Sequence, residues 1–353
     1  MDTVLSRRWL RRVACGSLAL VLCDLLVAAP AFAQARALSQ VASLTGPAQR
    51  VQVDGNTLYI AADQTLRSVD IANPSAPRAA ATFTFPQRIG AFVASGSLVY
   101  ALIDFFGLRV LDISNPAHPT LRGGLELKGG VIAAALLDSK TILTANMVAG
   151  VQVLDVSDPE KPALLTSHFT DGYTQDVFAS RPLAYVTDDP TGLYVLDLSK
   201  SGSPAQLSVT DLDVPPPPGG IGLVDFPQLR LALVDRPGAK PARVVAVLDR
   251  TSGLLLFYDI SNPGAPASVS RFKVPPRSET LTAHGSRVYV ATGAEGLHVV
   301  DVSDPRKPVS AGVFKTAQPA RDVAVSALSQ STGGPFVFVA TGAGGVVILR
   351  DGQ

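Results

Sequence analysis

One short segment recurs along the chain at a nearly constant spacing, and this periodicity constrains the fold more than any other feature. Each copy is a hydrophobic run that ends in aspartate. The gaps between successive closing aspartates are 42, 43, 42, 62 and 42 residues. A fixed period of this length indicates one supersecondary unit per repeat. The closing residues are Asp70, Asp112, Asp155, Asp197, Asp259 and Asp301.

A seventh copy and one insertion complete the pattern. The copy Gly344–Arg350 comes last, with Arg350 where the aspartate would stand. The long gap equals one period plus about 20 residues, so it contains extra residues rather than a missing unit. We assign this insertion to residues 213–228, between units four and five.

One unit reads as four short strands, called A to D. Its connections are too short for crossover helices, so the strands are expected to form an antiparallel meander. The turn after strand C, D-[IV]-S-[ND]-P-x-x-P, provides an Asx-turn residue followed by proline. In the sixth unit the predicted strands are Thr280–Ala283, Arg287–Thr292, Leu297–Val302 and Val309–Lys315.

The two ends of the repeat array predict how it closes. The last unit stops after strand C, whereas Val41–Ala48 is a lone D-like segment ahead of the first full unit. Joining both ends into one sheet would remove exposed strand edges. We therefore predict an all-β, seven-bladed β-propeller of four-stranded antiparallel blades, with the last blade closed by the N-terminal strand. The alternatives are a linear solenoid and a six-bladed ring.

The first 33 residues resemble a secretory signal peptide. A basic stretch with Arg7 and Arg8 precedes the apolar run Val13–Leu22, and Ala31–Ala33 has the A-x-A form of a cleavage site. We predict cleavage after Ala33, export to the periplasm or cell surface, and a single propeller domain over residues 34–353. The alternative is an uncleaved membrane anchor.

Composition excludes several classes of protein. Both cysteines lie in the predicted signal peptide, so the mature chain has no disulfide, cysteine-ligated zinc or cysteine nucleophile. It carries 26 Lys and Arg against 27 Asp and Glu, and no basic stripe indicates nucleic-acid binding. No hydrolase or phosphate-loop motif is present, so we predict no catalytic residues and no obligatory cofactor.

The repeats GLRVLDISNP, GVQVLDVSDP and GLHVVDVSDP resemble the LVIVD-repeat family of exported bacterial and archaeal proteins. The resemblance covers nearly all of residues 38–353. It implies a β-propeller fold and a location outside the cytoplasm. The family has no established catalytic residues, so none is carried over to this chain.

In a propeller, strand A lines the central channel, and the D–A linkers and B–C turns share one face. Charged residues near the starts of strand A are expected at the channel mouth on this face: Arg50, Asp176, Glu279, Arg321 and Asp322. Their acids would bind Ca²⁺ or a basic ligand through oxygen atoms. The B–C turns add acidic residues, including Asp104, Asp188, Asp189 and Asp249. The alternative is that these carboxylates only cap turns.

The insertion is predicted to lie on the same face. Its prolines should form a stiff polyproline II segment, followed by a glycine hinge. Such a loop would act as a lid or dock into a partner's aromatic groove, and the alternative is a simple spacer. The candidate contact residues are Pro215, Pro216, Pro217, Pro218 and Phe226.

These observations favour a non-catalytic, extracytoplasmic module that binds or scaffolds a protein, a ligand or another component of the cell envelope, as a monomer. The alternative is a metal-assisted hydrolase or lactonase that uses the acids at the channel mouth. A third possibility is a structural unit of a surface assembly. No membrane span is expected after signal cleavage.

Overall fold

The computed structural model describes residues 38–103, 106–127, 129–189, 192–200, 202–214, 228–236, 243–326 and 334–352. These residues form 28 β-strands in seven four-stranded antiparallel sheets, and no helix occurs among them. The predicted seven-bladed β-propeller is therefore confirmed, and the solenoid is wrong. The predicted signal peptide lies outside the described residues.

The first four blades each contain four strands consecutive in sequence. Blade one consists of β2 (Arg50–Asp54), β3 (Thr57–Ala62), β4 (Thr65–Asp70) and β5 (Arg78–Thr84). Blade two consists of β6 (Ile89–Ser95), β7 (Leu98–Ile103), β8 (Gly107–Asp112) and β9 (Thr120–Leu125). Blade three consists of β10 (Val131–Asp138), β11 (Thr141–Asn146), β12 (Gly150–Asp155) and β13 (Ala163–His168). Blade four consists of β14 (Tyr173–Ser180), β15 (Leu183–Asp189), β16 (Gly192–Asp197) and β17 (Ala205–Thr210).

The remaining blades follow the same order until the ring closes. Blade five consists of β18 (Leu229–Asp235), β19 (Arg243–Asp249), β20 (Leu254–Asp259) and β21 (Ala267–Lys273). Blade six consists of β22 (Thr280–His284), β23 (Arg287–Ala291), β24 (Leu297–Asp301) and β25 (Val309–Phe314). Blade seven combines β26 (Asp322–Ser326), β27 (Phe336–Ala340) and β28 (Val346–Arg350) with the N-terminal β1 (Ser39–Leu44).

Strand β1 takes the place of strand D in blade seven. It pairs antiparallel with β28, from Ser39 opposite Arg350 to Leu44 opposite Val346. Its register shifts between Gln40 and Ala42, and every other C–D pair of the ring shows a comparable shift. A strand from the far end of the chain thus reproduces the local geometry of the repeat, including its bulge.

Burial between the blades holds the ring together. Seven clusters of buried apolar side chains each draw on two neighbouring blades, one cluster for every junction around the ring. The junction of blades seven and one packs Phe338 and Ile348 against Leu58 and Ile60, all fully buried. The strands supply β-branched and aromatic residues, which suit such two-sided packing.

The C–D turns have the predicted Asx chemistry. Asp304 Oδ1 accepts the Arg306 N–H at 3.1 Å, and equivalent bonds occur at Asn115 and Asp158. The structure adds a second cap that the sequence analysis missed: Asp301 Oδ1 accepts the Ser303 N–H at 2.7 Å. All six closing aspartates make this bond to the residue two positions later. Turn chemistry therefore explains the most regular residue of the repeat.

Candidate functional site

The inner strands surround a central channel. A cavity of about 130 Å³ lies between these strands, and all seven A strands contribute residues to it. On the face of the B–C turns and D–A linkers, the channel opens into a larger cavity of about 480 Å³. We call this larger cavity the channel mouth. Its ionisable lining residues are Arg50, Arg88, Arg230, Arg250, Arg321, Glu279 and Asp322.

The structure brings together most of the residues predicted for this site. Arg50, Glu279, Arg321 and Asp322 all line the channel mouth. Asp176 lies deeper, where it lines the smaller cavity together with Arg50 and Asp322. The predicted residues therefore share one channel, although they come from blades one, four, six and seven.

Two of the predicted acids connect neighbouring blades. Asp322 Oδ2 accepts the Val51 N–H at 2.9 Å, and its Oδ1 accepts the Val323 N–H at 2.9 Å. Asp176 makes the equivalent pair of bonds, to the N–H of Leu231 at 3.1 Å and of Val177 at 3.0 Å. Each carboxylate thus accepts a hydrogen bond from a backbone N–H group of its own strand A and another from strand A of the next blade. This role differs from the cation ligation expected from the sequence.

The same two junctions each place an arginine beside the acid. Arg50 directly precedes Val51, and Arg230 directly precedes Leu231, so the Asp–Arg arrangement occurs at the seven–one and four–five junctions. Arg230 also donates to the carbonyl oxygens of Gln175 and Leu229, both at 3.0 Å. The guanidinium is therefore held by backbone groups on two blades.

Glu279 bridges two further arginines. Its Oε1 accepts a hydrogen bond from Arg321 Nη1 at 2.7 Å, and its Oε2 accepts one from Arg250 Nη2. The Arg250 Nε also donates to the Ser278 carbonyl oxygen at 3.1 Å. About half of the Arg321 side chain is exposed, whereas Glu279 and Arg250 are mostly buried. Glu279 thus positions one arginine within the wall and one at the rim.

Burial and neighbouring charges change the pKa values of these groups. Burial raises the pKa of Asp322 to about 6, although Arg50 and Arg230 act in the opposite direction. Burial also raises the pKa of Asp176. The pKa of Arg250 is lowered, first by burial and then by Arg230. The guanidinium groups are therefore close enough to repel one another across the mouth.

The dominant charge of this site was not predicted from the sequence. The predicted set contained Arg50 and Arg321 but emphasised the acids, and Arg88, Arg230 and Arg250 were absent from it. The equivalence of Arg50 and Arg230 was available as a signal, because each lies within the first two residues of a strand A. Within the described ranges, no group of three or more acidic, histidine or cysteine side chains has the arrangement to hold a metal ion. Calcium binding stays a prediction.

The acids of the B–C turns in blades four and five form a second, smaller feature. Asp188, Asp189 and Asp249 are all buried, with at most 4% of any of them exposed. Asp249 caps its own turn by accepting the Thr251 N–H at 2.9 Å. Burial, and then the charges of Asp188 and Asp249, raise the pKa of Asp189 to about 6. Asp104 lies outside the described residues.

Replacing Asp189 with asparagine is expected to stabilise the protein at about pH 8 and to have little effect at about pH 4. The folded state holds the Asp189 proton more tightly than the unfolded state, so native stability falls as pH rises from about 4 through 6. The Asn variant removes this cost, and its free energy of unfolding at about pH 8 should rise by about 1–3 kcal/mol. Urea unfolding at both pH values measures the difference.

Asp304→Asn provides the matched control for this experiment. Asp304 is an exposed cap of a C–D turn, and the repeat itself uses asparagine at the equivalent Asn115 and Asn262. We expect this variant to match the wild type at both pH values. Equal stabilisation of the Asp189→Asn variant at the two pH values would contradict the assigned titration.

The predicted partner-binding loop can be described only at its edges. Pro215, Pro216, Pro217, Pro218 and Phe226 lie outside the described residues. At the start of the insertion, Asp213 forms an ion pair with Arg271 of β21 at 2.6 Å. Across the described ranges, the chain has no helix long and apolar enough to cross a membrane.

Comparison with known proteins agrees with the repeat structure. Residues 45–84, 94–125, 171–209 and 278–316 match the LVIVD repeat, and they fall on blades one, two, four and six. A search of curated proteins finds no match to the chain. The four matches recur in phase with the blades, which identifies the repeating unit of this chain as the LVIVD repeat.

Proposed function

We propose that this protein is a non-catalytic, extracytoplasmic propeller that captures a ligand or partner at its channel mouth. The observation that carries the proposal is the cavity of about 480 Å³, lined by charged side chains from blades one, two, five, six and seven. Ligand sites are typically concave and carry a few converging polar groups on a rigid scaffold. The channel mouth has this form, and its side chains are held by hydrogen bonds between blades.

Binding accounts for this geometry better than catalysis does. A metal-assisted hydrolase needs carboxylate oxygens directed at one cation. Asp176 and Asp322 instead direct both oxygens at backbone N–H groups, and Glu279 directs both at arginines. These acids therefore support the architecture of the channel and leave the arginines as the groups that face a ligand.

The proposed location rests on the sequence of residues 1–33, with its basic start, apolar run and Ala31–Ala33 site. A protein exported in this way would meet components of the cell envelope, which we propose as its partners, and it would act as a monomer. Intact-mass measurement of the protein recovered from the periplasm tests this step. A mature chain beginning at Gln34 is expected. A chain that still carries residues 1–33 and is found in the membrane fraction would contradict the proposed export.

Thermal unfolding of residues 34–353 with a ligand panel tests the binding function. The panel contains calcium, neutral sugars, basic and acidic peptides, and small anions. At a concentration of about 100 times Kd, a ligand of the mouth should raise Tm by about 5 °C. The double variant Arg88→Glu, Arg321→Glu should lose this shift.

The control variant is Arg122→Glu, on the outer strand β9 of blade two, where Arg122 pairs with Glu160 at 2.6 Å. It should retain the full shift in Tm. Hydrolysis of lactones or aryl esters in the presence of calcium, abolished by Asp322→Asn, would contradict the proposal and favour the hydrolase. The proposal would also be contradicted if no ligand of the panel gave a shift in Tm that is lost in the Arg88→Glu, Arg321→Glu variant.

A further inference from the structure

The channel mouth concentrates positive charge in a protein that is otherwise nearly neutral. The whole sequence carries 30 Lys and Arg against 29 Asp and Glu. In contrast, the described part of the lining of the mouth contains five arginines and two acids, Glu279 and Asp322. The excess therefore belongs to this site and does not reflect the composition of the chain.

The two acids neutralise only part of this charge. Glu279 lies between Arg250 and Arg321. Asp322 is the acid whose charge acts most strongly on the pKa of Arg50. Arg230 is bonded to backbone carbonyl oxygens and interacts with Asp176, whereas Arg250 and Arg321 share the single carboxylate of Glu279. A cavity in which partly buried guanidinium groups outnumber the carboxylates beside them attracts an anion, because low-dielectric walls strengthen the field inside it.

Repulsion among the arginines supports the same conclusion. The pKa of Arg50 is lowered, first by burial, with Asp322 opposing and Arg230 lowering it further. The pKa of Arg250 is also lowered, by burial and by the charges of Arg230 and Arg321. A bound anion would relieve this repulsion, and so its binding would be favoured beyond its direct hydrogen bonds.

We propose that the channel mouth binds a small organic anion with at least two oxyanion groups, of the carboxylate or phosphate type. This inference rests on the proposed binding function and names its ligand class. Arginine presents a planar fork of donors that matches both groups. Arg50 lines both cavities and lies deeper than the half-exposed Arg321 at the rim, so a ligand with two separated charges can engage both. The cavity volume of about 480 Å³ is of the size that holds a small metabolite rather than the surface of a partner protein.

Calorimetric titration of residues 34–353 with citrate, at low ionic strength, tests the ligand class. Two substitutions should act in opposite directions. Arg50→Gln removes a cation and should weaken citrate binding by about tenfold. Glu279→Gln removes the competing carboxylate and should strengthen it by about threefold to tenfold. Because a cation site would lose affinity in the Glu279→Gln variant, the sign of this change separates the two kinds of site.

Controls keep the result interpretable. Arg321→Gln alters a half-exposed arginine and provides a second weakening variant should Arg50→Gln fail to fold. Arg122→Gln on the outer surface should leave citrate affinity unchanged. Binding should weaken as salt is raised, and acetate at equal ionic strength should bind at least tenfold more weakly than citrate.

The ligand source is decided by a parallel titration with inorganic tripolyphosphate. If citrate binds more tightly, the ligand is assigned to the polycarboxylates. If tripolyphosphate binds more tightly, the ligand is assigned to the phosphate esters or polyphosphates. Absence of binding by both, or weaker citrate binding in Glu279→Gln, would overturn the anion proposal. If another ligand of the thermal panel still depends on the mouth, the proposed binding function would stand while the ligand class fails.

Discussion

Replacement of Gly345 with alanine is expected to destabilise the protein by about 2–5 kcal/mol, because it interferes with closure of the ring. Gly345 directly precedes β28 with φ = +83°, a region that costs residues with a Cβ about 1–2 kcal/mol. A Cβ at this position would overlap the carbonyl oxygen of Leu44, at the end of β1. The backbone of blade seven must shift, and the β1–β28 ladder would lose register. Urea unfolding followed by circular dichroism measures the loss.

Gly342→Ala separates steric overlap from backbone strain. Gly342 also has a positive φ, +62°, but a Cβ there meets no atom within 4 Å. This variant should therefore lose only about 1–2 kcal/mol. If the two variants were equally destabilised, contact with β1 would contribute nothing, and closure of blade seven would not depend on this close approach.

The second large effect is expected at Asp351, the residue after β28. Its side chain is 1% exposed; it accepts hydrogen bonds from Tyr289 Oη at 2.6 Å and from Arg287 Nη1, and both donors belong to β23 of blade six. Burial, and then the bond to Asp351, raise the pKa of Tyr289. Asp351→Ala should cost about 3–5 kcal/mol, because it leaves a mostly buried guanidinium and a buried hydroxyl without their acceptor. Urea unfolding measures this cost.

Two further variants distinguish the polar contacts of Asp351 from packing and from turn capping. Asp351→Val places an apolar residue at this position, as the other blades have, for example at Val302. This variant should nevertheless be less stable than the wild type. Asp301→Ala removes a cap at the end of β24, and it should lose only about 1 kcal/mol. Wild-type stability in Asp351→Val would mean that the bonds to Arg287 and Tyr289 add no net stability.

Much of the fold could be predicted because its information is local and repeated. The predicted limits of the strands in blade six differ from the observed ones by one residue, since β-branched runs and Asx–Pro turns define them directly. The closing strand was predicted as Val41–Ala48 but spans Ser39–Leu44. Beyond Leu44 the chain belongs to the linker, where Arg67 of blade one donates to the carbonyl oxygens of Thr45 and Pro47.

The candidate site was predicted less completely because its charge balance depends on tertiary structure. Arg88, Arg230 and Arg250 come from three different contexts along the chain, and only the ring brings them to one cavity. No role was predicted for Asp351 from the sequence. Its N–H binds the Pro335 carbonyl oxygen as the Val302 N–H binds that of Ser286, so it occupies an apolar position of the repeat. An aspartate at such a position was a signal that a comparison of the copies would have revealed.

The pairing of β1 with β28 has a consequence for the order of folding. The first strand of the propeller has its partner roughly 300 residues later, so closing this loop has a high entropic cost until the intervening blades have formed. Blades one to six can stack in turn as they are synthesised, since each uses only neighbouring segments. Blade seven must assemble last, and until then the nascent ring presents two open faces. Any factor that protects this protein during synthesis would therefore act on the two faces that later become the seven–one and six–seven junctions.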